Sequence, residues 1–154
     1  MNEITAFSSA QQYIKIAVGE EFYGIDIGLV DNIVRMQRIT RVPNVAPYIK
    51  GVINLRGEVI PIINLRLKMN LDEIDCSKLT RIIIIKTEAY DKIGIIVDEV
   101  KEVITLDEEQ VEKMHYDKAD EDHFVVGIGK MGDVLVSLLD INTVLADKSI
   151  KEEA

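Results

Sequence analysis

One spacing occurs twice in this chain, in the same order. Gly24 precedes Val30 by six positions and Ile33 by nine, and Gly94 precedes Val100 by six and Val103 by nine. Further along each half, Gly51 stands thirteen positions before Asn64 in GVINLRGEVIPIIN, and Gly127 stands thirteen before Asp140 in GIGKMGDVLVSLLD. Four landmarks repeated in order define two half-size modules of one design. A doubled design has a seam between its halves, and the seam is where a binding site is expected.

The 154 residues suffice for one compact domain or two very small lobes, and 47% of them are hydrophobic, so a sizeable core is expected. The longest apolar run, Ile82 to Ile85, is far too short to span a bilayer. The N-terminal stretch MNEITAFSSAQQ has no basic segment leading into a long apolar one, so no secretory leader and no direct membrane contact are expected. Cys76 is the only cysteine, which excludes an internal disulfide and points to a reducing, cytoplasmic location.

The net charge of −9 is uneven: residues 1–75 carry eight Lys/Arg against nine Asp/Glu, and residues 76–154 carry ten against eighteen. Nucleic-acid binding rests on neutralising phosphates. The acidic second half and the absence of Trp therefore argue against a β-barrel nucleic-acid binder, which needs a basic face with stacking aromatics. Five of the six arginines lie between Arg35 and Arg66, a stretch that suits an acidic protein surface. Arg35, Arg38 and Arg41 recur every three residues within it, a pattern that on its own describes a solvated face.

Short apolar segments separated by turn residues dominate the pattern. Residues 13–18 and 22–27 read as a hairpin around Gly19-Glu20-Glu21, and 39–42 as a strand. Residues 48–55 and 59–65 flank Arg56-Gly57-Glu58 as a second hairpin, where Gly57 permits a positive φ. Pro61 cannot donate to a ladder, so its position is an edge, a bulge or a strand start. Leu29, Val30, Ile33 and Val34 fall at helical spacing and predict a short amphipathic helix over 29–36. Residues 72–78 read as a link, 81–87 as a strand buried on both faces, and 93–97 as its neighbour. The acidic stretch 107–122 reads as a solvated loop, residues 124–128 and 134–139 as a last hairpin, and Asp140 as the cap of a helix to Leu145. The pattern predicts an all-β fold with a few short helices, in which two copies of about five strands each suit two small barrels. Residues 1–12 and 148–154 are expected as flexible ends. Residues 13–147 then form one domain of two lobes, approximately 13–75 and 76–147.

No constellation for chemistry stands out. His115 and His123 lie in the acidic stretch, but their spacing matches no metal-ligand pattern. Gly127-Ile128-Gly129 and Gly132 lead into a strand rather than a helix, so they form a turn and not a phosphate cradle. Cys76 has no histidine at a telling distance. The chain reads as a non-enzyme without a cofactor or metal.

The segment YIKGVINLRGEVIPIINLR at 48–66 resembles the signature of the chemotaxis coupling proteins, the CheW-like family. YGIDI at 23–27 followed by Val30 and Ile33, GIIVDEV at 94–100, and the closing hairpin and helix are similar to the same family, over about residues 13–145. The resemblance implies two small five-stranded SH3-like barrels side by side around a shared apolar core, in a cytoplasmic adaptor that links the tip of methyl-accepting chemoreceptors to a chemotaxis histidine kinase. It implies that a helical-hairpin tip enters an inter-lobe apolar groove, and that the kinase's regulatory domain pairs with the adaptor barrel to barrel. By the same resemblance Val30, Asn32, Ile33, Arg56, Val97 and Val100 contact the receptor, and Gly51 corresponds to a position linked to kinase association. Asn32 stands where an acidic residue is common, and Asn64-Leu65-Arg66 stands where many members have Asp-Leu-Arg. A scaffold for a different signalling array, built on the same groove, is the alternative.

Overall fold

The computed structural model describes residues 10–114 and 124–146. In chain order the strands are β1 (Gln11–Val18), β2 (Glu21–Asp26), β3 (Val30–Arg35), β4 (Ile49–Leu55), β5 (Glu58–Asn64), β6 (Arg81–Ile85) and β7 (Ile93–Val97). They continue with β8 (Glu99–Leu106), β9 (Val111–Lys113), β10 (Val125–Met131) and β11 (Val134–Leu139). Short helices α1 (Leu65–Lys68) and α2 (Ile141–Leu145) follow β5 and β11. The all-β class read from the sequence is the class the chain adopts.

Two sheets form, in the orders β8-β1-β2-β11-β10-β9 and β3-β6-β7-β5-β4. They do not coincide with the sequential halves expected at 13–75 and 76–147. The first hairpin, β1–β2, sits with β8–β11, while the matching hairpin of the second half, β6–β7, sits with β3–β5. The two modules have exchanged their first hairpins. The ordered strand also starts at Gln11, two residues inside the segment expected to be flexible.

The repeated landmarks do the same job in each sheet. β7 runs parallel to β5 with Gly94 opposite Ile62, and β2 runs parallel to β11 with Gly24 opposite Leu138. A Cβ on Gly94 would stand 2.6 Å from Ile62 Cδ1, and one on Gly24 would stand 2.8 Å from Leu138 Cδ2. Each glycine therefore leaves room for the aliphatic side chain of its parallel neighbour. The other landmark pair brackets a bulge and a cap. The β4–β5 ladder shifts register between Ile49 and Gly51, and the β10–β11 ladder between Val125 and Gly127. Asn64 caps α1 by accepting from the Leu67 N–H, and Asp140 caps α2 by accepting from the Thr143 N–H. Thirteen positions is the length of chain from bulge to cap in both.

Three apolar clusters result. The largest draws Ile14, Ile16, Val18 and Ile25 from one sheet and Ile63, Ile83, Ile85 and Ile95 from the other, so it is the core shared between lobes. Ile53, Ile60, Ile62, Ile82 and Ile84 fill the five-stranded lobe, and Ile104, Leu106, Val136 and Leu138 the six-stranded one. Ile82 to Ile85 are all buried because alternate residues face different clusters. Each such side chain removed from water contributes roughly 1.5–3 kcal/mol.

Two local expectations differ from the structure. Residues 29–36 form no α-helix: a 3₁₀ turn over Ile27–Leu29 leads directly into β3. The β-branched Val30, Ile33 and Val34 favour strand, and a neighbouring isoleucine strand supplies the ladder. Residues 39–42 give only a single bridge, Thr40 to Val52. Pro61 sits opposite Val52 inside β5. Val52 spends its N–H and C=O on Thr40, so the ring nitrogen of Pro61 faces away from β4, and the β7 pairing begins one residue later at Ile62. The missing donor thus falls at a local edge.

Candidate functional site: an aliphatic row beside the lobe interface

The helical spacing of Val30 and Ile33 has a strand explanation. The β3–β6 register shifts between Val30 and Asn32, so one extra residue is absorbed there. Val30 then lies opposite Ile85 and Ile33 opposite Ile83, and both pack on the shared core. The bulge makes a separation of three act like a separation of two. The second module repeats the device. Val100 lies opposite Ile16 and Val103 opposite Ile14, with the shift between Lys15 and Ile16. Val30, Ile33 and Val100 are half-buried and lean on the shared core.

Two residues expected in this lining have other positions. Val97 is 1% exposed, a member of the shared core itself, so it presents no surface. Asn32 lies on the other face of β3, opposite Ile84, and its Oδ1 accepts the Ile33 N–H at 2.8 Å. That bond satisfies a donor at the bulge, a fixing role that an amide or a carboxylate serves equally.

Arg56 stands at the tip of the β4–β5 hairpin and is exposed. Its φ is +54° and that of Gly57 is +88°, the pair of positive values that a two-residue primed turn requires. Asn54 Oδ1 accepts the Gly57 N–H at 3.0 Å and closes the turn. At the matching tip of the β10–β11 hairpin the first residue is Gly132, with φ +62°. The first turn position thus has a positive φ in both lobes, held by glycine in one and arginine in the other, although αL costs a side-chain-bearing residue about 1–2 kcal/mol; the second position is positive only at Gly57 and not at Asp133. Next to this turn Glu58 accepts from Lys92 Nζ at 2.9 Å, and Asp31 lies 3.8 Å from the same nitrogen. Lys92 therefore ties the Arg56 hairpin to the bulge beside Val30.

Gly51 is buried, with φ +138°, and a Cβ there would land on the Thr40 carbonyl oxygen. Its glycine is a backbone requirement: it lets residue 40 bridge to Val52.

Sequence reasoning missed how the lobes are pinned. Arg66 of α1 grips Asp98 with Nε at 2.9 and 3.1 Å and Nη2 at 2.8 Å, while Nη1 donates to the Asp72 carbonyl. Asp98 joins β7 of one sheet to β8 of the other, and its Oδ2 also accepts the Gly19 N–H at 2.8 Å from the β1–β2 turn. Burial would raise the Asp98 carboxyl, but the Arg66 hydrogen bonds, the Gly19 N–H and the Arg66 charge together hold it below the usual carboxylate range. The Arg66 guanidinium is correspondingly raised, chiefly by its hydrogen bonds to Asp98. Lys68, one turn on, lies 4.1 Å from the Tyr48 ring centroid and donates to the Ala146 carbonyl across the interface. The only hint in the sequence is an arginine closing NLR and an aspartate closing GIIVD.

Cys76 is exposed. No cluster of three or more His, Cys, Asp or Glu side chains suited to a metal occurs among the described residues, and His115 and His123 lie outside them. Among the described residues no helix is long and apolar enough to cross a membrane.

Two β lobes joined over one apolar core, with partly buried aliphatic side chains of β3 and β8 leaning on it, are the frame of a β scaffold. Residues 12–149 match the CheW-like domain, and the chain belongs to the CheW-like family, whose members are non-enzymatic scaffolding adaptors of chemotaxis. It is 40% identical over 147 residues to the chemotaxis protein CheW of Bacillus subtilis, covering 95% of this chain and 93% of that one. It is 35% identical over 135 residues to that of Helicobacter pylori, covering 87% and 81%. The solved scaffolding protein TtCheW from Thermoanaerobacter tengcongensis superposes with a TM-score of 0.78 at 34% identity, over 90% of this chain and 94% of that one.

Proposed function

We propose that the chain couples chemoreceptors to a chemotaxis histidine kinase in the cytoplasm. The helical-hairpin tip of a receptor lies along the face formed by Val30, Ile33 and Val100, with Arg56 at its rim. The kinase's regulatory domain pairs with a lobe barrel to barrel, and Gly51 serves that pairing through the backbone shape it permits. The observation that carries this reading is the β3 bulge, which leaves two aliphatic side chains half-exposed on one face at the lobe interface. An amphipathic helix is the natural occupant of such a face. Arg56 would set its register by charge-assisted hydrogen bonds. Holding receptor and kinase together gives a coupling free energy between them without any chemical step.

The test is Arg56→Ala in a reconstituted assay of receptor-coupled kinase activation. The variant keeps its folding stability and loses coupling; normal coupling would reduce Arg56 to a turn residue.

A further inference from the structure

Arg35 ends β3 and lies directly opposite Arg81, which begins β6. Opposed residues on antiparallel strands hold their Cβ atoms about 4.5–5.5 Å apart on one face, and like charges placed so are destabilising. No carboxylate compensates either arginine among the described residues. Among the described residues Arg66 is the one arginine with such a partner, whereas Lys15, Lys50, Lys92, Lys101 and Lys130 all have one. The carboxylates that follow Val97 are engaged elsewhere, Asp98 by Arg66 and Gly19 and Glu99 by Lys101. Arg81 is meanwhile held in place, its Nη1 donating at 2.8 Å to the carbonyls of Lys78 and Thr80.

The duplication supplies an internal control. In the second module the position matching Arg35 is Thr105, and its opposite partner is Gln12. A neutral pair therefore satisfies the same scaffold, and the fold does not demand two arginines. The face is also informative. Arg35 and Arg81 have the strand parity of Ile33 and Ile83, which face the shared core, so the pair continues the row Val30–Ile33 along β3.

We propose that Arg35 and Arg81 form a carboxylate clamp at the end of the aliphatic row, reading an acidic side chain on the bound helix. The inference rests on the reading of that row as a helix-binding face. Ile33 and Arg35 are separated by about 6.8 Å along the strand. One turn of a helix advances about 5.4 Å. The partner thus presents an Asp or Glu one turn beyond the apolar side chain that meets Ile33. Two guanidinium groups suit the planar, two-oxygen geometry of a carboxylate. An acidic protein segment is favoured over nucleic acid because the rest of a chain of net charge −9 repels a polyphosphate.

The test titrates the full-length protein with a soluble cytoplasmic chemoreceptor fragment containing the signalling tip, at two salt concentrations. Arg35→Gln weakens binding roughly fivefold, and Arg35→Gln with Arg81→Gln weakens it further and flattens the salt dependence. The melting temperature of Arg35→Gln does not fall, because its side chain makes no bond to a described residue and a repulsion is removed. Val30→Thr weakens binding while leaving the salt dependence intact. Arginine variants that bind as the wild type while Val30→Thr binds less would overturn the clamp and leave the helix-binding face standing. Full binding by all three would overturn both.

Discussion

A single missing Cβ separates two kinds of glycine in this chain. Gly94 faces Ile62 and Ile82, and a methyl group there would stand 2.6 and 2.7 Å from their side chains. Gly94→Ala is expected to cost about 1–3 kcal/mol in a denaturant titration, partly recovered by Ile62→Val, because side chains can shift. Gly51 faces the backbone of Thr40, which cannot shift without losing the bridge to Val52. Gly51→Ala is expected to cost more, about 3 kcal/mol or above, from strain at φ +138° plus the clash. Any loss of kinase association in that variant would accompany a loss of stability, measured on the same sample. Arg56 was legible as a hairpin-tip residue, and only the family resemblance singled it out as a contact. Its positive φ, and the glycine that matches it in the other lobe, were not legible, since both depend on knowing the turn type.

Among the elements, β3 shows most plainly where a sequence misleads. Val30 and Ile33 are three apart, the signature of a helix, and a bulge produces the same result in a strand. A bulge leaves no residue type that marks it here, so the period alone could not separate the two. The duplicated spacing carried the information instead, because Val100 and Val103 repeat it around the same device. The pin at α1 was hidden for another reason: Arg66 and Asp98 are far apart in sequence and neither belongs to a repeated landmark. The pin has a pH signature. The Asp98 carboxyl is depressed in the folded state, so its stabilising contribution is complete above the unfolded value near 4 and is lost as pH falls through the folded value. Asp98→Asn is expected to lower stability at neutral pH by about 2 kcal/mol and to flatten the acid limb of the stability profile below pH 4, read by thermal melts across pH.

At the scale of the molecule, the duplication predicted two lobes, and two lobes form. It did not show that each lobe is built from both halves, because strand pairing between modules leaves no trace in spacing. The exchange has a consequence for folding. Residues 1–75 hold β1–β2 without the β8–β11 partners, and β3–β5 without β6–β7. Each fragment cut at 75/76 is expected to remain unfolded alone by circular dichroism, and the two are expected to recover strand signal when mixed. A fragment that folds cooperatively by itself would contradict the exchange. The shared core also sets the frame for function, since the aliphatic row rests on side chains from both sheets and exists only when the lobes are assembled. The most direct measurement of the central claim is amide shift mapping of the labelled full-length protein titrated with a chemoreceptor tip fragment. The account predicts saturable changes centred on Val30, Ile33, Arg56 and Val100. Changes confined to the outer edge at β9 and β10, or none at saturating fragment, would contradict it.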